Sequence, residues 1–212
     1  MKIAHTFSQK LKTRLQKPLP GLEAQMLMCP PIRPKDIHIP DNVRKSAVLI
    51  LVYPHEGQWM IPFMRRTQDG RVHGGQICFP GGRHDKTDPN FTFTALREAD
   101  EEMGIKSHQL EVVGNLTEVY IPPSNSLVYP RVAVAEQRPD FIPEPLEVAE
   151  IIEVPAIAFL EEENRGIHRV DVFGGNFIEA PGYTVNGKEL IWGGTAMMIA
   201  EFAEIVGEVI GE

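Results

Sequence analysis

Short strand-like runs outnumber helical ones along this chain, and they alternate in an order that few folds accommodate. AVLILVY (47–53) reads as a buried strand, an apolar run too short for a buried helix. MIPFM (60–64) follows as a second strand, and Pro62, which cannot donate to a ladder, predicts an edge position for it. QICFPGGRHDKTDPN (76–90) starts as a strand and passes into a glycine-rich loop. FTFTALREADEEMGI (91–105) then reads as a helix stopped by Gly104. EVVGNLTEVY (111–120) and YPRVAVAE (129–136) are strands joined by IPPSNSL, and EIIEVP (150–155) is another, leading into a short helix over 156–163. RVDVFGG (169–175) and a hairpin around Asn186–Gly187, the strongest short turn signal, add further strands. TAMMIAEFAEIVGEVI (195–210) closes the chain as an amphipathic helix. Many short strands with one central and one terminal helix predict a single α/β domain, a mixed sheet sandwiched between helices.

Ahead of that body, over 41–212, residues 1–40 read as an arm. A short helix suits 6–17, where Phe7, Leu11 and Leu15 recur at i+4 and Pro18 follows; CPPIRP (29–34) reads as an extended connection. Residues 1–45 hold nine Lys/Arg and three Asp/Glu, which leaves 12 basic and 26 acidic side chains for the rest of a chain of net charge −8. A basic arm on an acidic body docks on that body, on a second subunit or on an anionic ligand, and docking on its own body is the expectation. The acidic balance argues against general nucleic-acid binding, which draws on clustered Lys and Arg. No window approaches the length of apolar sequence that a membrane-crossing helix needs, and the N-terminus lacks the apolar core of a signal peptide. With only Cys29 and Cys78 there is no disulfide framework, so the expected location is the cytoplasm or an equivalent reducing space. Oligomeric state is left open, a homodimer included.

Chemistry concentrates in residues 80–105. Glu98, Glu101 and Glu102 stand at i, i+3 and i+4, so three carboxylates project from about one helix face. Such a face costs stability unless a positive charge sits on it, and a hard divalent cation such as Mg²⁺, which takes carboxylate oxygens and substrate phosphates as ligands, is the natural counter-charge. Gly81–Gly82 just upstream let the backbone approach a ligand closely and free a carbonyl for the same ion. Arg97 can pair with a neighbouring carboxylate and hold it in position.

This segment resembles the Nudix box, Gly-x5-Glu-x7-Arg-Glu-U-x-Glu-Glu-x-Gly-U, with U an aliphatic residue. Residues Arg97 to Ile105 match its second half at every fixed position. Counting from Gly82, Asp88 stands where Glu is expected, and eight residues rather than seven separate it from Arg97. Upstream, FMRRTQDGRVHGGQICFPGG (63–82) resembles the signature of the coenzyme A pyrophosphatase branch: Arg66, Arg71, Gly75, Phe79, Pro80, Gly81 and Gly82 match, and Pro62, Phe63, Met64 and Thr67 depart. Segments near residue 19 (LPG) and at 191–198 (IWGGTAMM) are similar to that branch as well.

The resemblance implies a hydrolase that cleaves the pyrophosphate of a small nucleotide substrate with Mg²⁺ or Mn²⁺. Glu98 and Glu102 would be the first metal ligands, with Glu101 joining a second ion and Gly82 assisting; Arg97 would orient a carboxylate. Arg66 and Arg71 are suited to gripping phosphates, since guanidinium forks match phosphate oxygens. Glu147 and Glu150 are the candidate general bases, with Glu147 preferred because it lies in a loop. If the branch resemblance holds, the substrate is coenzyme A or a derivative and the products are 3′,5′-ADP and a 4′-phosphopantetheine species. The rivals are a pyrophosphatase for ADP-ribose, dinucleotides or nucleoside triphosphates, and a nucleotide sensor of the same fold that cleaves nothing. Retention of all three helix carboxylates speaks against the sensor.

Overall fold

A computed structural model describes residues 2–31, 38–68, 70, 73–172 and 176–211. Its centre is β1 (Arg44–His55), apolar from Ala47 to Pro54, which pairs in parallel with β7 (Ser126–Ala135). Glu56 and Gly57, both at positive φ, turn the chain into β2 (Gln58–Arg66), which runs antiparallel to the end of β1. Around these strands lie β3 (Ile77–Cys78) and β8 (Val148–Pro155) on β2, β4 (Gly81–Arg83) on β1, and β5 (Leu110–Asn115) and β6 (Val119–Ile121) on β7, giving an eight-stranded mixed sheet. A separate antiparallel sheet of three strands follows: β9 (Arg165–Val172), β10 (Asn176–Val185) and β11 (Glu189–Trp192).

The alternation of β1 side chains builds two cores. Ala47, Leu49, Leu51 and Tyr53 face Ala95, Ala99 and Met103 of α3 (Phe91–Met103). Ile50 and Val52 point the other way, into the cluster that holds Met198, Phe202 and Ile205 of α4 (Gly193–Gly211). The expected sheet between helices is therefore what the chain forms.

The N-terminal segment lies on this body. In α1 (Lys2–Leu15), Phe7 and Leu11 are buried in the α4 core, and Phe7 stacks on Trp59 at 3.9 Å. Lys12 pairs with Glu111 at 3.1 Å, and Gln25 of α2 (Gly21–Met26) donates to the buried Glu201 of α4 at 2.8 Å. Of the expected connection at 29–34, residues 32–34 lie outside the described residues.

Three expectations need correction. β2 is no edge strand: β8 pairs along Met60–Arg66 on one side, while β1 and β3 pair at its two ends on the other. Pro62 falls between those two ends, where its missing N–H costs no ladder bond on that side. The run 111–120 breaks into β5 and β6 because the Thr117 amide and hydroxyl turn away to Glu201 Oε1, at 3.1 and 2.8 Å. The helix expected over 156–163 is instead two single 3₁₀ turns, Ala156–Phe159 and Glu162–Asn164. Asn186 and Gly187 do form the hairpin turn, with φ of 50° and 74° as the primed turn demands. Of the strand expected at 169–175, residues 173–175 lie outside the described residues.

Candidate active site

Helix α3 carries the site, and local rules fix where it starts and stops. The Asn90 side chain caps it by accepting from the Phe93 amide at 2.9 Å. Gly104 ends it with φ of 73°, a left-handed residue that side chains rarely tolerate. Ala95, Ala99 and Met103, spaced at i+4, seat the helix on β1. That seating turns Glu98 and Glu102 toward the β4 turn and leaves Glu101 exposed.

Glu102 is 2% exposed, an unusual setting for a carboxylate. Its Oε2 accepts from the Gly81 amide at 2.7 Å, and Arg66 Nη1 lies 3.6 Å from its Oε1. Burial pushes its pKa up to about 8 against the pull of Gly81 and Arg66, and the charges of Glu98 and Glu147 push the same way. The carboxylate of Glu98 lies against Gly82, where a Cβ would press into it and push the side chain aside. Burial also raises the pKa of Glu98, and Arg97 opposes that rise.

Arg97 organises the exposed side of this cluster. Its Nη1 donates to Glu98 Oε1 at 2.9 Å and to Glu101 Oε2 at 2.8 Å. Its Nε and Nη2 bond both oxygens of Asp88, at 3.2 and 3.0 Å, and Nη2 also reaches the Arg83 carbonyl at 3.3 Å. Asp88 is buried and accepts in addition from the Thr94 hydroxyl at 2.9 Å and the Asp85 amide at 3.1 Å. The Arg97 guanidinium holds the Asp88 carboxyl well below the usual carboxylate range. Asp88, which spacing leaves without a role, is thus the anchor of Arg97. The signal available in the sequence was its place in the box where an acid is expected.

Arg66, the last residue of β2, is half-buried facing Glu102. Arg71 lies outside the described residues. Glu147 is exposed in the loop before β8, and its charge acts on both Glu98 and Glu102. The Thr67 amide donates to the Glu147 carbonyl at 3.0 Å and so ties that loop to the end of β2. Glu150 is placed elsewhere. It pairs with Arg65 at 3.2 Å, and Arg65 also bonds Glu189 of β11, away from the α3 carboxylates.

Among the described residues, no three His, Cys, Asp or Glu side chains are gathered into a ready metal cage. Glu98 and Glu101 are instead drawn to Arg97. The donor chemistry nevertheless fits a hard divalent ion. Two adjacent carboxylates sit in a buried setting that disfavours their charged forms, beside a glycine turn that brings main chain against them. A cation there would reverse the penalty on both.

Comparison with known proteins agrees with this geometry. The NUDIX domain model matches residues 43–170, more than half of the chain, and the chain belongs to the NUDIX domain family. It is 36% identical over 126 residues to "Peroxisomal coenzyme A diphosphatase NUDT7" of Mus musculus, a match covering 59% of this chain. The chain spans about half of that relative's length, 52%. It is 34% identical over 186 residues to "Uncharacterized Nudix hydrolase NudL" of Photorhabdus laumondii, covering 86% of this chain and 93% of that one. A crystal structure of a MutT/nudix family protein from Enterococcus faecalis superposes with a TM-score of 0.53 at 14% identity, over 84% of this chain and 71% of that one, which shows the shared fold. Nudix hydrolases generally need divalent metal cations. No helix among the described residues is long and apolar enough to cross a membrane.

Proposed function

We propose that this chain is a divalent-metal-dependent pyrophosphohydrolase that cleaves coenzyme A or a derivative of it to 3′,5′-ADP and a 4′-phosphopantetheine species. One observation carries the reading: the buried Glu102 and the half-buried Glu98 lie against the Gly81–Gly82 turn, and the Arg66 guanidinium faces Glu102. The choice of coenzyme A is supported by the signature residues upstream of the turn and by the name of the mouse relative. Residues 41–212 would form the catalytic domain and 1–40 an arm, of which α1 and α2 pack on that domain. Two cysteines, Cys29 and Cys78, with no disulfide framework suit a reducing space such as the cytoplasm.

Glu98 and Glu102, with the Gly82 carbonyl, would hold the first Mg²⁺ or Mn²⁺, and Glu101 a second. Bound there, the ions supply charge neutralisation at the phosphate oxygens. Arg66, with Arg71 as its partner in the signature, grips phosphate oxygens and fixes the anhydride against the carboxylates. Arg97, braced by Asp88, keeps Glu98 and Glu101 from swinging apart. Glu147 takes a proton from the attacking water as the water oxygen bonds to phosphorus. The P–O bond of the anhydride breaks, and its electron pair leaves with the departing phosphate.

Hydrolysis of coenzyme A, 3′-dephospho-coenzyme A, ADP-ribose, a dinucleotide and a nucleoside triphosphate, each with Mg²⁺ and with Mn²⁺, tests the proposal. Coenzyme A is expected to have the highest kcat/KM. Faster cleavage of ADP-ribose would favour the broader pyrophosphatase, and tight nucleotide binding without cleavage would favour a sensor.

A further inference from the structure

The loop that carries Glu147 holds two large apolar side chains in water. Ile142 is 67% exposed and Leu146 is 83% exposed. Exposed side chains on a slack loop would mean little, but this loop is lashed down. The Ile142 amide donates to the Met103 carbonyl at 2.8 Å and the Glu144 amide to the Glu102 carbonyl at 2.9 Å, which ties one end to the carboxylate helix. The Thr67 hydroxyl donates to the Leu146 carbonyl at 3.0 Å and the Thr67 amide to the Glu147 carbonyl at 3.0 Å, which ties the other end to the strand of Arg66. The backbone that carries these two apolar side chains is therefore held beside the site, on either side of Glu144 and directly before Glu147.

Charge decides what such a rim accepts. The tied segment 142–147 (IPEPLE) contains Glu144 and Glu147 and no Lys or Arg. The two halves of coenzyme A differ sharply in this respect. The nucleotide half carries a 3′-phosphate, which an acidic rim repels. Beyond its pyrophosphate the pantetheine half is uncharged and ends in a thiol that takes an acyl group. We infer that Ile142 and Leu146 are specificity-determining residues that seat the acyl chain of an acyl-coenzyme A thioester, with the pantetheine arm leaving the site across this loop and the 3′-phosphate directed away from it. The inference rests on the coenzyme A reading above and adds to it an orientation and a preference for apolar thioesters.

Catalytic efficiencies for free coenzyme A and for its acetyl, butyryl and octanoyl thioesters test this in the wild type, in Leu146→Ser and in Ile142→Ser. In the wild type, kcat/KM should rise roughly tenfold from free coenzyme A to the octanoyl thioester, the discrimination that a few newly buried methylene groups confer. In each variant that ratio should fall toward one, carried mainly by KM. The loop's ties are main-chain carbonyls and amides plus the Thr67 hydroxyl, so thermal unfolding midpoints should stay close to wild type. A flat chain-length series in the wild type overturns the inference, as does a slope that survives in both variants. Continued cleavage of free coenzyme A in those cases leaves the underlying reading standing. Failure to cleave any coenzyme A species, with ADP-ribose cleaved, overturns both.

Discussion

Glu102→Gln removes one charge and keeps the shape, so its effect on stability isolates what burial does to that carboxylate. In the folded chain the Glu102 pKa is pushed up to about 8, against about 4.5 ordinarily. A folded-state value above the unfolded one means that the native protein keeps a proton which the unfolded chain has released. This contribution is intact below about pH 4.5 and is lost as pH rises toward about 8. Each pH unit inside the window costs about 1.4 kcal/mol, so between about pH 5 and about pH 8 the wild type loses on the order of 3 kcal/mol that the Gln variant retains. The Gln Oε1 still accepts from the Gly81 amide, and the bond of 2.7 Å need not be broken. The assay is urea unfolding of both proteins in chelator across that pH range, followed by circular dichroism. The stability gap in favour of the variant should widen steadily with pH, and saturating Mg²⁺ should reverse its sign. A gap that stays constant with pH would refute the reasoning, because Glu102 would then carry no penalty for its charge.

Other perturbations probe neighbouring parts of the site. Asp88→Asn should lower activity by roughly 10- to 100-fold, the usual cost of losing a partner that orients a ligand, with little change in KM; a wild-type rate would show that Arg97 needs no anchor. Gly82→Ala puts a Cβ into the Glu98 carboxylate, so it should weaken Mg²⁺ binding in a calorimetric titration, and unchanged affinity would remove Glu98 from the ion's ligands. Glu147→Gln should lower kcat by about 10²–10⁴-fold, whereas Glu150→Gln, whose carboxylate is spent on Arg65, should be mild. Equal and small effects of the two would mean that neither serves as the base.

What the sequence discloses about this site follows from the range of the forces involved. The helix, its stop at Gly104 and the shared face of Glu98 and Glu102 are legible because cap chemistry and helical period are local, whereas Glu101 turns out to solvent. The Asn186–Gly187 hairpin is legible for the same reason. The role of Asp88 is not, since its bonds to Arg97 depend on how the loop from Asp85 to Asn90 folds back over the helix start. Nor can sequence distance separate Glu147 from Glu150. Their different surroundings arise from tertiary pairing, with Thr67 holding one loop and Arg65 holding the other glutamate. Pro62 misleads because a strand is read as an edge from its own residues, while here three different strands share its two sides.

The central claim is that Glu98 and Glu102 together hold the ion on which phosphoanhydride cleavage depends. Steady-state turnover of coenzyme A at saturating Mg²⁺ by Glu98→Gln and by Glu102→Gln, with products resolved by mass spectrometry, tests it most directly. The account predicts 3′,5′-ADP and 4′-phosphopantetheine from the wild type, and from each folded variant a turnover lower by orders of magnitude, since a lost ligand weakens stabilisation of several kcal/mol. Near-normal turnover by either variant would contradict it.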